Sequence, residues 1–306
     1  MAAASSKLRR TVRRARPLLG TFVEIGAVGA GPEPYAAIEA AFDAVSQVHR
    51  LMSFHDPDSD VSRLNRAAAL RPVVVHDWTC QVLATACELH RRSGGVFNIA
   101  VAPALQGLGL LPRLAGDIEV PAAPLPSDAI ELLPGNAIRF RSRGARIDLG
   151  GIAKGFAVDR ARDALRGFGV DSGIVNAGGD LAVLGSAPQR VHVRDPRDPG
   201  RLICAIVLAD EALASTARRF DPFHSAETVA TAVIDPATNR PADALAGVTV
   251  RAPSCLIADA LTKVVMIRGP DAGELLAQYE AGALLMFSDG EIQITPNLSE
   301  AINRAA

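Results

Sequence analysis

Apolar residues recur in two rhythms along the chain, and each rhythm predicts a different element. Tyr35, Ile38, Phe42, Val45, Val48 and Met52 fall three or four apart, the spacing of one face of an amphipathic helix, whereas residues 21–25 alternate as a strand does. A second helix is expected over 78–92, ended by Gly94-Gly95. A third carries Ala157, Ala161, Ala164, Leu165 and Phe168 as one stripe, and a fourth spans 254–267 with Ile257, Leu261, Val264 and Val265 inward. A shorter helix is expected near 271–280. Short strands punctuated by glycine are predicted at 138–141, 173–176, 181–184, 191–194, 202–208, 229–234, 248–251, 283–287 and 291–294.

Strands outnumber helices, and many could pair through short turns. The pattern therefore predicts an α+β fold with mostly antiparallel sheets and flanking helices, in one large domain or two closely packed lobes. One domain is expected over 17–300, with the lobe boundary near 110–135, where Pro, Ala and Leu show little periodicity.

Composition narrows the function. The 306 residues are 49% hydrophobic, enough for a large core, and their net charge of -1 gives no electrostatic footprint for nucleic acid or anionic lipid. Cys80, Cys87, Cys204 and Cys255 lack paired-thiol spacing and read as small apolar residues in a reducing compartment. Residues 1–16 read as a flexible basic arm, without the apolar run of a secretion signal, so a cytoplasmic location is expected. Of the 32 basic residues only Lys7, Lys154 and Lys263 are lysines, and where Arg is the default cation a Lys marks a place for a compact amine.

Two of those lysines fall in segments with chemical possibilities. Asp148 to Gly155 (DLGGIAKG) reads as a strand ending in glycines and running into a helix N-terminus, where free N–H groups, the helix dipole and Lys154 would suit a diphosphate; it could equally be a tight packing turn. Asn176-Ala-Gly-Gly-Asp180 would form a hairpin or let a ligand approach the backbone. Asp259 and Lys263 share a helix face at i,i+4, either as a surface ion pair or as a carboxylate aimed at a site. Asp56, Asp58 and Asp60 imitate the start of a calcium loop, but Val61 and Ala67 occupy its glycine and glutamate positions, so an Asx-turn loop is expected. The six histidines show no zinc-ligand spacing, and no GxSxG elbow is present.

Taken in order, 19–22 (LGTF), 52–65 (MSFHDPDSDVSRLN), 95–103 (GVFNIAVAP), 148–159 (DLGGIAKGFAVD), 176–180 (NAGGD), 234–238 (IDPAT) and 258–263 (ADALTK) resemble the FAD:protein FMN transferases, the ApbE-like family, over nearly the whole chain. The resemblance implies FAD bound between two lobes, magnesium, and transfer of FMN through a phosphoester to a Thr or Ser of an acceptor flavoprotein, with release of AMP. Carried over by position, Asp148, Lys154 and Asp180 would serve FAD, the Gly151 carbonyl and Asp259 would face the metal, and Leu19, His55 and the Leu108 region would line the flavin pocket. The chain departs from the family pattern at four places: Leu19 for Met, Asn98 for Asp, Ala232 for His, and Lys263 for a Thr beside the metal. An ammonium cannot ligate magnesium, so weakened or replaced metal binding is expected, with His224 as a possible substitute for the absent His. The alternatives are a non-catalytic flavin-binding protein and a pyrophosphatase that splits FAD with water.

Overall fold

A computed structural model describes residues 10–29, 33–113, 129–218 and 231–303. Its main element is an eight-stranded sheet in the order β1 (Arg10–Leu18), β2 (Thr21–Gly29), β6 (Ser172–Ala177), β7 (Asp180–Leu184), β10 (Ala212–Ala217), β13 (Leu245–Ala252), β14 (Gly282–Phe287) and β15 (Ile292–Ile294). Every neighbouring pair is antiparallel.

Period-two alternation sorts the central strands onto two faces. Ala182, Leu184, Ala212, Ala214, Ala283 and Leu285 face one core, and Leu181, Val183, Leu213, Leu284 and Met286 face another. On the first face lie three helices, α1 (Glu33–Met52), α5 (Ala153–Gly167) and α6 (Cys255–Arg268). The small side chains of β10 bring α6 close to the sheet. On the second face lie the hairpin β8 (Gln189–Asp195) with β9 (Asp198–Leu208) and the helix α8 (Pro296–Asn303), which contributes Leu298 and Ala301.

A smaller sheet, β3 (Val73–Val74), β5 (Ala137–Phe140) and β4 (Ile130–Leu133) in that order, belongs with α2 (Asp60–Ala67), α3 (Asp77–Arg92) and α4 (Ala102–Gly107). Two-residue strands β11 (Ile234–Asp235) and β12 (Arg240–Pro241), a 3-10 turn over Gly269–Ala272 and α7 (Gly273–Gln278) complete the order. One continuous core runs from Val12 to Leu285 through both sheets, taking in Val73, Ile138 and Phe140. The α+β, mostly antiparallel architecture is as expected, as are the positions of α1, α3, α5, α6 and most strands.

Several expectations need correction. The basic arm expected over 1–16 is an edge strand from Arg10 onward: Val12 is buried, Arg16 pairs with Glu39 at 2.7 Å and covers the Phe42 ring at 4.4 Å, and Arg13 meets Glu24 at 3.1 Å. A strand rich in Arg and holding Pro17 reads as an arm from hydropathy alone, yet such residues are the ones that suit a sheet edge. No strand covers 231–233, because Asp235 accepts from Ala237 N (2.9 Å) and Thr238 Oγ1 (3.1 Å) and turns the chain at once. The turn expected at Asp56 is present: its Oδ1 accepts from Asp58 N at 2.9 Å, and Ser59 then caps α2 by accepting from Ser62 N at 3.0 Å. Most of the expected lobe boundary, 114–128, lies outside the described residues. Among the described residues no helix is long and apolar enough to cross a membrane.

Candidate functional site

The helices α5 and α6 run past each other so closely that Gly155 has no room for a side chain: a Cβ there would lie 2.2 Å from the Cys255 carbonyl oxygen and 2.8 Å from Asp259 Cβ. At that crossing each helix caps the other. Asp259 of α6 accepts from Gly155 N at 3.0 Å, and Asp159 of α5 accepts from Cys255 N at 2.9 Å and Leu256 N at 2.8 Å. Both aspartates are buried, and the N–H bonds and positive helix ends offset part of the desolvation, which still holds the Asp159 carboxyl above its ordinary value.

The segment before α5 is irregular rather than the expected strand. Its ladder partner is replaced by a side chain: Asn65 donates to the Ile147 carbonyl at 2.9 Å and accepts from Ile147 N at 2.8 Å, while Asp148 N donates to Ile99 O at 2.8 Å. Nor are the first N–H groups of α5 all free, since Ala153 N donates to Leu149 O at 2.8 Å and Gly155 N to Asp259. What this turn offers a ligand is therefore chiefly Gly150, Gly151, Asp148 and Lys154, all of which line a cavity of about 360 Å³. That volume falls in the range of small-molecule sites. Lys263 shares the floor, Phe97, Leu105, Leu110 and Leu111 make an apolar wall, and Thr216, Ala232 and Ile234 close another side.

Charge on this floor is concentrated and alternating. Lys154 donates to buried Asp180, whose second oxygen, Oδ1, has no hydrogen-bond partner. Lys263 donates to Asp259 Oδ1, and of the two readings of this pair the surface one does not hold, because Asp259 is fully enclosed. Burial pushes the Asp180 carboxyl up to about 6, reinforced by the Asp259 charge and opposed by Lys154 and Lys263. Burial acts on Asp259 in the same sense, but Lys263, Lys154 and the Gly155 N–H outweigh it and hold this carboxyl below its ordinary value. For Lys154, burial is outweighed by Asp259 and Asp180, and its ammonium is held above the usual range. Asp148, half-buried, is raised by desolvation against the N–H of Gly150 and the nearby His55.

The remaining positions are less central. Leu19, at φ 56°, forms the β1–β2 turn and packs partly on the core, and that turn adjoins the β6–β7 turn, where Gly178 (φ 66°) abuts Thr21. The second turn is the hairpin expected of NAGGD. Leu108 ends α4 exposed, while its neighbours Leu105, Leu110 and Leu111 provide the wall. Asn98 lines the cavity and accepts from Ala100 N at 2.8 Å. Ala232 presents a methyl group there, and His224 lies outside the described residues. Asn65 and Asp159 escaped the sequence reading, because neither has a periodicity or spacing that announces a partner about a hundred positions away.

The donor set does not fit a divalent cation. Asp259 Oδ2 already accepts from Gly155 N and Oδ1 from Lys263, so the acid faces an ammonium where it would have to face a second cation. Among the described residues no three His, Cys, Asp or Glu side chains gather to hold a metal.

Similar sequences and the same fold occur in other proteins. A protein of Treponema pallidum named FAD:protein FMN transferase is 27% identical, aligned over 96% of this chain and 89% of its own. A protein of the same name from Vibrio cholerae is 27% identical over 79% of this chain and 76% of its own. The crystal structure of the ApbE protein of Thermotoga maritima superposes with a TM-score of 0.85 at 26% identity, covering 96% of this chain and 99% of that one. Residues 19–287, which contain the glycine turn, the crosswise-capped helices and the whole described cavity lining, match the ApbE family model, and the chain belongs to the ApbE family.

Proposed function

We propose that this protein transfers FMN from FAD onto a Thr or Ser hydroxyl of an acceptor flavoprotein and releases AMP. The observation that carries the reading is the convergence of Lys154 and Lys263 with the Gly150-Gly151 backbone at the floor of a cavity with an apolar wall. A diphosphate needs the floor, and an isoalloxazine ring needs the wall. In the reaction the acceptor oxygen bonds to the FMN phosphorus, the bridging P–O bond breaks, AMP leaves with the electron pair, and the hydroxyl proton is lost to solvent. Lys154 neutralises the diphosphate, Asp180 holds Lys154 in place, and Asp148 contacts FAD, as the positions of these side chains support. The four cysteines carry free thiols, which supports action in a reducing compartment such as the cytoplasm.

The test is incubation with FAD and a flavoprotein acceptor, followed by intact-mass analysis of the acceptor and assay of AMP. An acceptor heavier by one FMN supports the proposal. Bound FAD with neither product overturns it in favour of a non-catalytic flavin binder, the alternative that Ala232 favours by leaving the cavity without the family's histidine. AMP released without a labelled acceptor would make the protein a pyrophosphatase.

A further inference from the structure

Lys263 is surrounded by oxygen. Its Nζ lies 3.1 Å from the Asp259 carbonyl, 3.1 Å from Thr262 Oγ1 and 3.3 Å from Thr216 Oγ1, and it bonds Asp259 Oδ1 as well. The hydroxyl protons are directed away from it. Thr262 Oγ1 donates to the Asp259 carbonyl at 2.7 Å, which leaves Thr216 as the donor in the 2.7 Å bond between the two hydroxyls. Lone pairs of both threonines are thus left for the ammonium. Asp259 cannot swing aside, because Gly155 N holds its other oxygen. A shell made only of oxygens, one of them a carboxylate, is the environment of a hard cation.

We infer that the Lys263 ammonium is a tethered substitute for a divalent cation, so that this protein binds FAD and transfers FMN without added metal. The inference rests on the proposed FMN transfer and deepens it. One charge replaces two, but that charge is covalently attached, already placed at the cavity floor and insensitive to chelation.

The decisive measurement is FAD affinity of the wild-type protein, followed by flavin fluorescence in EDTA and in excess magnesium. Equal affinities are expected, and binding about tenfold tighter with magnesium would overturn the inference. In a companion thermal-shift series, Lys263→Thr should gain a magnesium-dependent rise in Tm that the wild type lacks, and a rise in the wild type instead overturns it. Lys263→Met, which keeps length and removes charge, should bind FAD about tenfold more weakly in EDTA, and unchanged affinity counts against the inference. None of these arms needs the acceptor. Transfer seen only with magnesium would defeat the tethered cation and leave the transferase reading standing, whereas equal FAD affinities with no labelled acceptor under any condition would do the reverse.

Discussion

Gly155→Ala sets two well-known effects against each other at one position. Alanine favours a helix interior over glycine by about 1 kcal/mol, so propensity alone predicts stabilisation. The new methyl, however, would stand 2.2 Å from the Cys255 carbonyl oxygen and 2.8 Å from Asp259 Cβ, and the first of these is backbone that cannot turn away. Relief requires α5 and α6 to separate by roughly 1 Å, a strain that overpacked cores put at about 1–3 kcal/mol. The same separation stretches the three capping bonds at Gly155, Cys255 and Leu256, now 3.0, 2.9 and 2.8 Å, at about 1 kcal/mol for each one lost. Overcrowding wins, with a net loss of about 3 kcal/mol, and the urea midpoint should fall by about 1 M at unchanged slope. Gly167→Ala in the same helix is the control: nothing lies within 4 Å of its Cβ position, and it should be neutral or stabilising. If both variants behave like Gly167→Ala, the close crossing and its caps do not govern stability and the reasoning is refuted.

Other consequences are open to simpler measurements. Lys154→Met should weaken FAD binding about tenfold by flavin fluorescence, through loss of a charge facing the diphosphate. Asp180 is held protonated up to about 6, above the ordinary 3.8, so the folded chain retains its proton more tightly than the unfolded one. Its contribution to stability is therefore greatest below 3.8 and declines as pH rises to about 6, and Asp180→Asn should flatten that part of the pH–stability curve. Ala232→His returns an imidazole to the cavity lining and should raise the transfer rate by about 100-fold, with a new pH dependence near the imidazole pKa of about 6.5.

Regular periodicity made α1, α3 and α5 and most central strands readable, because each buries one face and leaves the other polar. β10 was not readable: Ala212 to Ala217 (ALASTA) carries almost no hydropathy contrast, since its role is to be thin enough for α6 to approach. α6 showed the opposite difficulty. It is buried nearly all round, Asp259 and Thr262 included, so the stripe expected on it understated its burial and left a surface ion pair open as one reading. In the site, motif order pointed to Asp148, Gly151, Lys154 and Lys263, which do meet at one cavity. It did not separate those that line the cavity from Asp180 and Asp259, which act from behind the lysines. That distinction depends on depth, and depth is set by helix packing.

The crosswise capping of α5 and α6 also orders events in time. Gly155 and Asp259 are separated by 104 positions, and Asp159 and Cys255 by 96, so neither helix N-terminus can be completed by its own neighbourhood in sequence. During synthesis the glycine turn emerges long before the helix that finishes it, and such distant closures are slow. Until α6 docks, the turn lacks Asp259 and the cavity lacks Lys263, and a nascent or truncated chain ending before α6 has no competent floor to offer FAD. Ligand binding is thereby made to wait for a helix that is synthesised late, and FAD should select molecules in which α6 has docked over those in which it has not.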